Sequence, residues 1–210
     1  MLAESEGRIR DRNMRKILKV ATEIFSREGY HGARMAEIAK ASGLPKANVY
    51  YYFSSKEEIY RIIITALIKS WDEALEAIAP EHDPRDAFRD YIAAKLAYSR
   101  DHPAESRLFA NEVLRGATFL TAGERDHIRA VTDRHATVIR DWMDQGRLNP
   151  VDPYHLLIML WAATEFYADH ESVVTMVLRK KKLKQTDFEL AAETIADTVL
   201  SGLLPASSRR

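Results

Sequence analysis

The side chains able to do chemistry gather in one short stretch. Lys46, Ala47, Asn48, Tyr50, Tyr51 and Tyr52 combine a cation, an amide, a small residue and three phenols, the mixture that bonds base edges and phosphate oxygens. Arg34 and Lys56 flank it and add charge. Tyr50 to Phe53 are four consecutive aromatic residues; on a helix they point in four directions, so at least one must face outward. Lys56 lies where a helix should open, a position at which a cation opposes the helix dipole unless an anion is close. It is therefore expected to meet a phosphate.

Catalytic patterns are missing. There is no Gly-rich phosphate loop, no HExxH and no Ser at a strand-turn-helix elbow, so neither phosphoryl transfer nor acyl transfer has its usual signature. His127 and His135, eight apart, and His155 and His170, fifteen apart, lack the i,i+4 spacing of helical metal ligands. No metal, cofactor or catalytic residue is expected. The chain has no cysteine, which excludes disulfides, thiol catalysis and cysteine-ligated zinc. Glu105, Glu112 and Glu165 are carboxylates that could pair in space, and an all-α enzyme acting on a nitrogen heterocycle, with Glu112 and Glu165 as acid and base, is the alternative reading.

Positioning the first stretch requires short helices around tight turns. Met35, Ile38 and Ala39 give one apolar face, Gly43 supplies turn freedom, and Leu44-Pro45 leads into a second helix whose Val49 and Phe53 point inward. Two short helices across a Gly-containing turn are a helix-turn-helix. Ahead of it, Ile17, Val20, Ala21, Ile24 and Phe25 form a stripe on a helix over about 9–28. Arg8, Arg10, Arg12, Arg15 and Lys16 precede or open that helix, and such an arm suits a backbone or minor-groove contact.

The remaining segments are also helical, giving an all-α protein of about nine helices, with domains at 1–54 and 55–210. Ser55 to Glu58 reads as a capping box opening a helix to Pro80, with Ile59, Ile62, Ile63, Ala66, Leu67, Trp71, Leu75 and Ile78 on its apolar positions. Asp83-Pro84 and Asp152-Pro153 each cap a helix start. Thr186 to Glu189 reads as a second capping box. The helix over about 153–178 is apolar nearly all round, so it must be covered on two sides. Arg179 to Lys184 holds five cations in six positions, more simply a solvated loop than a second nucleic-acid site.

Net charge is zero over 210 residues, but residues 1–56 carry 11 Lys and Arg against 6 Asp and Glu, which leaves the rest at −5. A basic head on an acidic body suits phosphate neutralisation at one end only. A chain 46% hydrophobic and 30% charged is ordinary for a globular protein. No apolar run approaches the roughly 20 residues of a bilayer-crossing helix and the first residues lack an apolar signal core. No membrane partner and a cytoplasmic location are expected.

The stretch from Phe25 to Glu57 resembles the TetR/AcrR family of transcriptional regulators. The carriers are Phe25, Gly29-Tyr30, Ile38-Ala39, Ala41 with Ser42-Gly43, Val49 to Phe53, and Ser55-Lys56-Glu57. Ala33 and Arg34 depart from it, standing where the family has a Thr or Ser cap. The resemblance implies double-stranded operator DNA as a partner, read by Lys46 to Tyr52, and Tyr50 and Tyr52 touching phosphates or bracing the head. It also implies release by a small effector, and a homodimer built through the last two helices.

Ser99 to Ala117 and Gly146 to His170 further resemble the pyrimidine-utilisation regulators of that family. This implies an effector site of Trp71, Leu75, Phe109, Asn111, Glu112, Trp161, Thr164, Glu165 and Tyr167, and a pyrimidine or related nitrogen heterocycle as effector. Glu165 departs, because those regulators carry a Gln there; Asn111 and Phe166 differ as well. A Gln amide donates and accepts whereas an ionised Glu only accepts, so Glu165 favours an amino-pyrimidine, a purine or a cationic amine, unless burial keeps it protonated and able to donate.

Overall fold

A computed structural model describes the backbone of residues 2–206 and the side chains of residues 8–206. Ten helices and no strand occur among the described residues. The chain divides into two compact units, one of residues up to Leu67 with Arg107–Leu120, the other of Ile68–Ser106 with Thr121 onward.

In the first unit, α1 (Leu2–Gly32) packs on α2 (Met35–Ser42), and α2 on α3 (Lys46–Tyr52). Helix α1 begins well before the expected Ile9, over a stretch whose sequence has no apolar periodicity to detect. It is broken where expected, at Gly29 (φ 68°, ψ 173°). Gly43 (φ 64°) closes α2 in the left-handed conformation, and its N–H bonds Lys40 O, the helix ending that glycine favours. Ile17, Ala21, Ile24, Phe25, Ile38, Ala39, Val49 and Phe53 are all buried.

Helix α4 (Lys56–Leu75) starts in the first unit and ends in the second. Its cap is divided between two serines. Ser55 Oγ accepts from Glu58 N (3.1 Å), while the Glu58 carboxylate accepts from Ser54 N (2.6 Å) and Ser54 Oγ (2.7 Å). These Ser54 bonds hold Glu58 below the usual carboxylate range. The helix stops at Leu75, short of Pro80, because the N–H of buried Ile78 turns to Leu75 O (2.9 Å). Its 20 residues span about 30 Å.

In the second unit, α5 (Pro84–Asp101) packs against α8 (Pro153–Asp169) and α10 (Gln185–Leu203), and α7 (Ala122–Asp144) against α8. Helix α6 (Pro103–Leu114) falls mostly in the first unit. Asp83 and Asp152 cap α5 and α8 as expected, accepting from Arg85 N and His155 N at 2.9 Å. Phe88, Tyr91, Ile92, Leu96, Ile139, Trp142, Leu157, Leu160 and Leu200 fill the core. Ala191 and Ala196 lie on the buried stripe of α10.

Two expectations are corrected here. The helix expected over 153–178 breaks at His170 (φ −121°, ψ 36°), giving α9 (Glu171–Val177). With Phe166 stacked on the His170 ring (4.4 Å), the break comes without Gly or Pro to announce it. The capping box expected at Thr186 is absent because α10 starts earlier: Asp187 reaches back to Lys184 N (2.8 Å) and pairs with Lys180. Those bonds, Lys180 foremost, lower the Asp187 pKa. No helix among the described residues is long and apolar enough to cross a membrane.

Candidate functional site

Helix α3 presents a polar, basic face while its other side anchors it. Val49 is fully buried and Phe53, its C-cap, nearly so. Lys46, Ala47, Asn48 and Tyr50 are exposed, and Tyr51 is 77% exposed. Lys46 Nζ lies 5.8 Å from the Tyr50 ring centroid. Tyr52 is half-buried, and its hydroxyl accepts from Asn13 Nδ2 (3.0 Å), tying α3 to α1. Arg34 is exposed at the start of α2 and makes no side-chain cap bond; the hydroxyl cap missing from the sequence is missing in space too.

Lys56 is held differently. Its ammonium donates to Tyr30 O (2.7 Å) and Ala33 O (2.8 Å) and sits 4.4 Å from the Tyr30 ring centroid. Burial lowers its pKa. Two of its three donors thus clamp the α1–α2 connection to the start of α4.

The nine residues expected around an effector separate by unit. Phe109, Asn111 and Glu112 belong to the first unit. There Asn111 Nδ2 donates to Ser26 O (3.2 Å), and buried Glu112 accepts from Tyr60 Oη (3.0 Å) and Phe119 N (2.7 Å). Burial, with the Glu112 charge added, pushes the Tyr60 phenol far up. Tyr30, Tyr60 and Phe119 pack ring against ring beside a cavity of about 270 Å³.

The other six belong to the second unit. Leu75 is core. Thr164 is fully buried, its hydroxyl turned back to Leu160 O (2.8 Å). Tyr167 is half-buried and tilted against Phe188, centroids 6.1 Å apart. Trp161 Nε1 donates to Tyr91 Oη (2.7 Å). Glu165 accepts from Lys95 Nζ (2.6 Å), which also lies 5.1 Å from the Trp71 ring centroid. Nearby, Ser106 donates to Asp169 (2.6 Å), whose carboxyl burial pushes up.

Lys95 and Tyr91 are residues that motif matching missed. A signal existed for Lys95: it shares the stripe of Phe88, Tyr91, Ile92 and Leu96, and a cation on an apolar stripe requires a buried partner. Which partner, 70 positions away, had no local sign.

Similarity to known proteins follows this geometry. Residues 17–62 match the family model for bacterial regulatory proteins of the tetR family, and residues 64–206 that for the YcdC-like protein C-terminal region. The chain is similar to the HTH-type transcriptional regulator RutR of Escherichia coli K12, 35% identical over 189 residues that cover 90% of this chain and 89% of that protein. It is 26% identical to the HTH-type transcriptional repressor NicS of Pseudomonas putida over 174 residues, 80% of this chain and 81% of NicS. A tetR-family regulatory protein from Rhodococcus RHA1 shares the fold, with TM-score 0.71 at 20% identity over 92% of this chain and 98% of that one. These proteins are regulators and not enzymes, so the acid-base reading of Glu112 and Glu165 is set aside. The chain belongs to the TetR family of DNA-binding, ligand-responsive transcriptional regulators.

Proposed function

We propose that the protein is a repressor that binds a palindromic operator as a homodimer and releases it when a nitrogen heterocycle, a pyrimidine in the first instance, occupies the second unit. The observation that carries the DNA half is the exposed face of α3. In this reading Asn48 and Tyr51 meet base edges, Lys46, Arg34 and Tyr50 meet phosphates, and Ala47 lets the helix approach. Tyr52 braces the head through Asn13, and Lys56 acts as an internal clamp in place of a phosphate ligand. Half-sites one helical turn apart, about 34 Å, suit a dimer.

Dimerisation is supported by apolar surface that one chain leaves uncovered. Ile158 and Met159 of α8, Phe166 beside them, Met176 and Val177 of α9 and Leu190 of α10 are all exposed. A second copy placing the same helices against these would cover α8 on both sides, as its all-round apolarity asks.

The effector half rests on Trp71, Trp161, Tyr167 and Glu165, now joined by Lys95, and on similarity to RutR. Ligand contacts with Trp71 act on α4, the helix common to both units, and shift the population toward a form that does not fit the operator. Asn111 and Glu112 fix the Arg107–Leu120 segment within the first unit through Ser26, Tyr60 and Phe119. A gel shift against the promoter beside its own gene, with and without pyrimidines and purines, tests both halves. Retarded DNA released by a pyrimidine is the expected result; no retardation removes the reading.

A further inference from the structure

Lys95 is only 4% exposed. Among the described residues its ammonium has one hydrogen-bond partner, Glu165 Oε1 at 2.6 Å. Three N–H groups are available on an ammonium, so two donors remain unspent beside the Trp71 ring. Glu165, 30% exposed, likewise uses one oxygen in this pair. Donors left unspent away from water are costly. Trp161 does not answer them, because its Nε1 is already committed to Tyr91.

We propose that Lys95 and Glu165 form one donor-acceptor edge that reads a neutral planar heterocycle carrying a hydrogen-bond acceptor next to an N–H donor, laid against Trp71. The inference rests on the reading of this unit as the effector site and states which chemistry that site selects. Lys95 donates to the ligand's ring carbonyl or ring nitrogen, and Glu165 Oε2 accepts the adjacent N–H. The pair reproduces with two charged groups what a single Gln amide supplies, a donor and an acceptor side by side.

This arrangement reverses what Glu165 alone favours. A cationic amine would meet a carboxylate already neutralised at 2.6 Å and an ammonium that repels it. A carboxylate ligand would be drawn by Lys95 and repelled by Glu165. A neutral ring satisfies both groups without adding charge.

Calorimetric titration of the full-length protein tests this with uracil, which carries adjacent C=O and N–H groups, 1,3-dimethyluracil, which lacks N–H, and benzylamine, a planar cation. The companion variant Lys95→Met/Glu165→Leu removes both charges together, because a lone buried charge endangers folding; circular dichroism and operator binding confirm that it is folded. Uracil should bind. Dimethyluracil, which keeps its carbonyl but loses the N–H to Glu165, should bind wild type at least about 10-fold more weakly, and uracil, which loses both charge-assisted hydrogen bonds, should bind the double variant at least about 30-fold more weakly; benzylamine should not compete. Equal affinity for uracil and dimethyluracil, undiminished uracil binding to the double variant, or tighter benzylamine binding overturns the pair's role and leaves the effector reading standing. No binding by either uracil, with operator binding intact, overturns both.

Discussion

Replacing Lys56 by Met separates two roles that its position allows. As a phosphate ligand, Lys56 would contribute to operator affinity and little to stability. As a clamp it does the reverse. Its ammonium holds Tyr30 O and Ala33 O at 2.7 and 2.8 Å, and hydrogen bonds involving a charged group contribute about 1.5–3 kcal/mol each. The Tyr30 ring at 4.4 Å adds about 0.5–1 kcal/mol. Methionine keeps most of the stem packing and gives up a charge whose burial was itself unfavourable, so the net loss should fall below the sum of these contributions, at about 2–3 kcal/mol. For a chain of this size each kcal/mol moves Tm by about 2–4 °C.

The variant should therefore melt about 4–12 °C lower by circular dichroism. Fluorescence anisotropy with labelled operator, at several salt concentrations and well below the melting range, gives the other axis. For Lys56→Met, the slope of log affinity against log salt should match wild type. Lys46→Ala serves as the opposite case: exposed at the start of α3, it should melt as wild type and lose about 0.9 from the slope, the amount expected for one phosphate contact. An unchanged Tm together with a shallower slope for Lys56→Met would refute the clamp.

Leu190, 63% exposed, should become a buried contact when two copies meet, so Leu190→Glu should turn a dimer in sedimentation velocity into a monomer and weaken operator binding, with the protomer's helicity unchanged; a wild-type monomer at micromolar concentration would sink the dimer reading. His135 is buried, with Nδ1 2.7 Å from Val131 O, and its pKa is lowered chiefly by burial, against the pull of carbonyl contacts at Val131 and Leu75. A histidine with a depressed folded pKa gives stability that is present above its unfolded pKa, about 6.5, and is lost as pH falls through the folded value. Wild type should therefore lose Tm between pH 7.5 and 5 more steeply than His135→Gln; parallel curves would dismiss the linkage.

What was legible in the sequence was what local chemistry decides. Gly43, Pro45 and the Val49/Phe53 pair sit within a few residues of the turn they build, and Asp83-Pro84 and Asp152-Pro153 cap helices through bonds two or three residues long. The errors fall where the deciding partner is distant or the signal is absent. The break at His170 has neither Gly nor Pro, and the start of α10 depends on Asp187 reaching back to Lys184 and across to Lys180.

Lys95 marks the boundary between the two kinds of information. Its place on the stripe of Phe88, Tyr91, Ile92 and Leu96 already requires that its charge be compensated, because an isolated buried ammonium costs several kcal/mol. Stripe logic can therefore demand a partner from sequence alone. Only the packing of α5 on α8 makes that partner Glu165, and with it the meaning of Glu165 changes from an acceptor that invites cations to half of a neutral donor-acceptor edge. A single substitution relative to a similar regulator is thus not readable at its own position; its chemical sense is fixed by the neighbour the fold supplies.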